Sequence, residues 1–157
     1  MPASVALGEG LISLTESDGT PVSAAVMFAN SAPGIFELNL SALAAAEALV
    51  INGSSQTFEQ VYQVGSGNNI VPLPIDLSQG QVYLVLYGTG IRNAKDVTVS
   101  VGGQSVSVPF FGAQGTYAGE DQINVGPLPG SLAGKGNVTI ALTADGQAAN
   151  TVTVQIK

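Results

Sequence analysis

The chain has 157 residues, enough for one substantial domain, and 45% of them are apolar while only 10% are charged, against about 25% charged in an average soluble domain. Lys and Arg together number 4 and Asp and Glu 11, a net charge of −7, which repels phosphate backbones and anionic membrane surfaces and speaks against nucleic acid as a partner. No Cys, His or Trp is present, so disulfides, thiolate chemistry, imidazole general bases and imidazole metal ligands are excluded and no cofactor is expected.

The opening Met1-Pro2-Ala3-Ser4-Val5-Ala6 has neither the basic stretch nor the long apolar stretch of a signal peptide, and nowhere do about 18 apolar residues follow one another as a membrane span requires. A secreted protein would therefore be read here as a mature form or a fragment. Leu11-Ile12-Ser13-Leu14-Thr15, the turn residues Asp18-Gly19 and a second apolar stretch with Val22, Val26 and Phe28 predict an N-terminal β-hairpin over residues 1–33.

A second segment, 34–157, carries the rest. Ser41 to Leu49 is alanine-rich and is the one place where propensity allows a short helix. Ala48-Leu49-Val50-Ile51 running into Asn52-Gly53 favours instead a strand entering a hairpin, and strands are expected near 45–51, 57–64 and 69–75. Val82-Tyr83-Leu84-Val85-Leu86-Tyr87 is apolar on both faces, as a central strand covered on both sides, or one whose second face meets a partner, would be. Gly88-Thr89-Gly90 opens like a dinucleotide fingerprint, but the third glycine and the following helix are missing, so the glycines are read as a tight bend where the strand leaves its sheet.

Val97, Val99 and Val101, the turn Gly102-Gly103, and Val106, Val108 and Phe110 predict a second hairpin. From Gly112 to Gly136, glycine and proline are dense, and long loops are expected around one short strand at Gln122 to Val125. Val138, Ile140 and Leu142, the turn Asp145-Gly146, and Val152, Val154 and Ile156 predict a closing hairpin. Its residues echo the first: Pro129-Gly130-Ser131-Leu132-Ala133 and the alternating strand up to Asp145-Gly146 repeat the order Pro2-Ala3-Ser4-Val5-Ala6, Leu11 to Thr15, Asp18-Gly19. The chain thus opens with what reads as the last two strands of a sandwich and continues into a fuller copy.

Ala32-Pro33-Gly34-Ile35-Phe36, Pro74-Ile75-Asp76-Leu77, the run from Val82 to Gly90, Val101-Gly102-Gly103, Gly112-Ala113-Gln114-Gly115, Asp121-Gln122-Ile123-Asn124-Val125 and Ala149-Asn150-Thr151-Val152 together resemble the uncharacterised C-terminal domain family described from Solibacter. That family ends large secreted acidobacterial proteins and is similar to the immunoglobulin-like fold shared by plexins and transcription factors. The resemblance implies an immunoglobulin-like antiparallel β-sandwich and an extracellular or cell-surface location. It brings no activity and no catalytic residues, and it makes the N-terminal hairpin the tail of a preceding module.

Candidate sites are few. Glu120-Asp121 in a glycine-rich loop is a weak calcium candidate with Asn124 as the one nearby oxygen, against a plain solvated loop. Tyr83 and Tyr87 share a strand face with Val85; they are expected to bury their rings against the second sheet, and on an exposed face they would suit a sugar ring. Gln122 and Asn124 are expected to satisfy loop backbone groups, with a ligand contact as the alternative. Without a Gly-x-Ser-x-Gly elbow or His, triad hydrolysis is excluded. The reading is a non-catalytic structural or adhesive module whose Leu11, Ile12, Leu14, Val22, Val26 and Phe28 serve assembly, in a filament by strand addition. Its partners would be other copies of itself or neighbouring β-sandwich domains. A carbohydrate-binding module for polysaccharide is the alternative.

Overall fold

The computed structural model describes residues 5–38 and 41–157, and the chain divides into two compact units, 1–30 and 31–157. The division falls a few residues before the boundary expected at 33, because Ala32 already donates its N–H to the Gly90 carbonyl at 2.9 Å within the second unit.

The first unit is one hairpin, β1 (Gly8–Thr15) and β2 (Pro21–Phe28), antiparallel from Gly8↔Phe28 to Thr15↔Pro21. Glu16 N–H bonds the Thr20 carbonyl at 2.9 Å and Gly19 N–H the Glu16 carbonyl at 3.0 Å; Gly19 takes the positive φ of 88° that closes such a loop. Directly opposed residues share a face. Gly8, Gly10, Ile12 and Leu14 therefore lie with Phe28, Val26, Ala24 and Val22 on one face, and the other carries Glu9, Leu11, Ser13 and Thr15 with Met27, Ala25, Ser23 and Pro21.

The second unit is all-β. Its strands are β3 (Gly34–Ile35), β4 (Ala46–Asn52), β5 (Ser55–Gln60), β6 (Tyr62–Val64), β7 (Ile70–Pro72), β8 (Gln81–Thr89), β9 (Val97–Val101), β10 (Gln104–Val106), β11 (Phe110–Ala113), β12 (Asp121–Val125), β13 (Gly136–Ala144), β14 (Gln147–Ala148) and β15 (Val152–Ile156). One sheet runs β11-β12-β8-β4-β5 with β3 beside β8; the other runs β10-β9-β13-β14 with β15 beside β13; β6 and β7 form a small ribbon. All these pairings are antiparallel. The inward stripes, among them Ala48, Leu84, Leu86 and Ile123 from the first sheet and Val99, Ile140, Leu142 and Val154 from the second, fuse into one buried core, as two stacked layers require. Among the described residues no helix is long and apolar enough to cross a membrane.

The alternation of the closing strands is realised directly: β13 and β15 bury Val138, Ile140, Leu142, Val152, Val154 and Ile156. Asp145 and Gly146 both take positive φ, 50° and 80°, as a two-residue hairpin turn requires. At 41–49 no helix forms; β4 begins at Ala46. The strand expected over 57–64 breaks at Val61, which is fully buried between β5 and β6, and that over 69–75 is reduced to β7, with Ile75 bridging Ile156 on its own. The hairpin after Gly102-Gly103 also stops early. β10 ends at Val106 and, past Pro109, which has no N–H for a ladder, the chain joins the opposite sheet as β11.

Candidate functional site

β8 is the central strand of the larger sheet, flanked by β12 and β4. Val82, Leu84 and Leu86 point into the core and are at most 1% exposed, so Tyr83, Val85 and Tyr87 must face outward. The two tyrosines are half-buried on the outer face, not packed against the second sheet as expected from the sequence. The period-two pattern left that choice open, because every residue of the run is apolar or aromatic. Tyr83 packs against the backbone: a Cβ on Gly126 would sit 2.7 Å from its Cδ1, and in the ladder Tyr83 opposes Leu49, which in turn opposes Phe58.

Tyr87 stands elsewhere on that face, in a groove of about 470 Å³ that Glu47, Gln60, Tyr62, Tyr117 and Glu120 also line. Its hydroxyl donates to Glu47 Oε2 at 2.8 Å, and Gln60 Nε2 donates to Glu47 Oε1 at 3.0 Å. Glu47 and Gln60 meet because they are direct partners across β4 and β5. Burial foremost, then the hydrogen bond to Glu47 and the charges of Glu47 and Glu120, push the Tyr87 phenol up to about 12. Tyr87 therefore stays a neutral donor at physiological pH.

The far wall of the groove is the loop between β11 and β12. Gln114 Oε1 accepts from the N–H of Thr116 at 2.8 Å and of Tyr117 at 3.4 Å, and Gln114 N–H bonds the Glu120 carbonyl at 3.0 Å. The loop is pinned from behind by Asp121. That residue is fully buried; Oδ2 accepts from Ile91 N–H at 2.7 Å and Arg92 N–H at 3.0 Å, and Oδ1 is paired with the Arg92 Nε. Arg92 Nη2 also donates to the Glu120 carbonyl at 2.7 Å. Alternation along the strand then sends the Glu120 side chain toward the groove.

Glu120-Asp121 is thus neither the solvated loop nor the shared calcium site weighed from the sequence. The Asp121 oxygens are committed to Arg92 and two backbone N–H groups, and among the described residues no three acidic, His or Cys groups converge as metal ligands. Gln122 and Asn124 bond each other at 2.9 Å on the outer face of β12 and not to loop backbone. Glu47 and Gln60 are not among the candidates the sequence offers, although a lone carboxylate inside the apolar stretch 44–51 is the signal that marks an outward position.

The residues expected to serve assembly divide between the hairpin's faces. Ile12, Leu14, Val22, Val26 and Phe28 share one face, and Leu11 lies on the other. Leu14 is 67% exposed, Val22 49% and Ile12 37%; Val26 and Phe28 are half-buried, the Phe28 ring lying over Gly10, where a Cβ would come within 2.4 Å of Cε2.

The chain matches no protein-family model, no curated protein and no solved structure. Fold and local chemistry together define a two-layer antiparallel β domain preceded by an apolar-faced hairpin.

Proposed function

We propose that the protein is a non-catalytic extracellular structural or adhesive module, an immunoglobulin-like sandwich that associates with a neighbouring β-sandwich through its N-terminal hairpin. The observation that carries this is the hairpin face built from Gly8, Gly10, Ile12, Leu14, Val22, Ala24, Val26 and Phe28, which has no polar side chain at all. Two strands alone are marginal in water, and burying a Leu or Val side chain is worth about 1.5–3 kcal/mol. A face of this kind gains most by lying on a second sheet.

The closing hairpin supports the reading. There the equivalent alternation, Val138, Ile140 and Leu142 with Val152 and Val154, is one wall of the core. The N-terminal hairpin repeats that wall without a facing sheet in its own unit. The resemblance to domains that end secreted proteins supports the location, and a chain with only 10% charged residues suits packing against like domains.

Light scattering on the eluting full chain tests this. The unaltered chain is expected to associate as concentration rises. Ile12→Asp combined with Val26→Asp, both on the apolar face, is expected to leave monomers, whereas Thr15→Asp on the opposite face is expected to leave association intact. Equal behaviour of the three chains would reject the reading. Polysaccharide binding at the outer face of the larger sheet is the rival, favoured by Tyr87 and Tyr117 in one groove.

A further inference from the structure

The groove on the larger sheet holds one feature that assembly does not use. Glu120 lines the groove, and its Oε2 is buried with no hydrogen-bond partner among the described residues. Glu47, the other carboxylate of the groove, already accepts from Tyr87 and Gln60. Among the described residues no Lys or Arg lines the groove. Arg92, behind its wall, is committed to Asp121 and to the Glu120 carbonyl.

We propose that this groove binds an organic cation, an ammonium or guanidinium group, held between the Glu120 and Glu47 carboxylates and flanked by the rings of Tyr62, Tyr87 and Tyr117. The chemistry follows from what is unsatisfied. Two carboxylates with no cationic side chain beside them among the described lining residues leave negative potential in the groove. A cation satisfies the orphan oxygen and neutralises that charge in one contact, and tyrosine faces attract the same group through their ring quadrupoles. Tyr117, 68% exposed at the rim, is placed to close over such a group.

The rival ligands fit less well. A sugar hydroxyl would satisfy Glu120 Oε2 but leave two charges facing one groove. A divalent metal ion wants several converging oxygens, and the two Glu47 oxygens are already hydrogen-bonded within the wall.

The test is a two-dimensional amide NMR titration of the full chain with N-acetyl-lysine methylamide, N-acetyl-arginine methylamide and choline. Nα,Nε-diacetyl-lysine methylamide, which carries no charge, cellopentaose and calcium chloride serve as the other arms. The cations are expected to shift the amides of Glu47, Tyr62, Tyr117 and Glu120 at about millimolar concentration, with Glu120→Gln and Tyr117→Ala each weakening binding by about tenfold or more. Both variants change exposed or half-exposed positions, and an otherwise unchanged spectrum verifies their fold. A short Lys- or Arg-containing peptide binding about tenfold tighter than the free probes would mark a protein as the source; choline binding as tightly would mark a small molecule. No cation-dependent shift at these amides, equal binding of Nα,Nε-diacetyl-lysine methylamide, or a response to cellopentaose or calcium alone would overturn the proposal.

Discussion

The Asn150 side chain pairs with the backbone of Ile35 as a neighbouring strand would. Its Oδ1 accepts the Ile35 N–H at 2.8 Å and its Nδ2 donates to the Ile35 carbonyl at 3.0 Å, with a further bond to Glu37 Oε1 at 2.7 Å. One amide thus ties β3, in the larger sheet, to the segment between β14 and β15 in the other.

Asn150→Ala is therefore expected to lower stability by about 2–3 kcal/mol, because two part-buried backbone groups lose their partners together. Asn150→Asp should cost at least as much, since a carboxylate cannot donate to the Ile35 carbonyl and would face Glu37. Urea unfolding of the purified chain measures both, and an Asn150→Ala midpoint equal to that of the unaltered chain would contradict the role.

Asp121 is the second fixed point. Removing its charge by Asp121→Asn leaves Arg92 without a counter-ion beside two backbone N–H groups, and since Arg92 is 33% exposed the cost is expected at the low end for a broken buried pair, about 3 kcal/mol. The same variant should loosen the loop carrying Glu120, seen as faster amide exchange at Tyr117 and Glu120.

Acid sensitivity follows from carboxylates held below their usual range, of which Asp145 and Asp76 lie in the sandwich and Asp18, held by the Thr20 N–H, in the hairpin turn. In Asp145 the Lys95 N–H at 2.8 Å is the main cause, helped by the N–H of Asp96 and the Ser31 hydroxyl. In Asp76 the Ser78 hydroxyl leads, followed by the Ser78 N–H and Lys157. A pKa depressed in the folded state adds stability that is complete above the unfolded value of about 3.9 and is lost as pH falls through the folded one. The urea midpoint should hold steady from about pH 7 to 5 and drop below about pH 4. Asp145→Asn, which still tolerates the positive φ of 50° at this position, should lower the midpoint at pH 7 and flatten the drop.

Tyr87 provides a spectroscopic check on the groove. Absorbance titration of the phenols should show an ionisation near 12, and Glu47→Gln should bring it down by removing both a charge and a charged acceptor. An unchanged titration in that variant would mean that Glu47 does not hold the Tyr87 hydroxyl.

Much of the fold was legible because one-faced strands write their burial into the sequence. Val138 to Leu142 and Val152 to Ile156 alternate; the turn Asp145-Gly146 sets Ala144 opposite Gln147, and one extra residue enters before Ile140 meets Val152, which shifts the register by one. Gly88 and Gly90 were read as a bend; their places are set by close backbone approach, since a Cβ on either would come within 2.3 Å of the Gly34 carbonyl or 2.0 Å of that of Ala32. The crossing from β10 to β11 was not legible, because Val106 and Phe110 keep the same alternation while serving different sheets. Nor was the groove, which gathers residues from β4, β5, β6, β8 and the loop before β12. In the sequence Tyr87 and Glu120 are candidates for two different chemistries, and Tyr62 and Tyr117 stand out only as aromatic surface of unknown direction.

Hydrogen exchange of the full chain across a range of concentrations tests the role of the hairpin most directly. Amides of β1 and β2 should gain protection as concentration rises, while those of β8 and β13 remain equally protected throughout. Protection of the hairpin that is the same at every concentration would contradict a face that seeks a neighbouring sandwich.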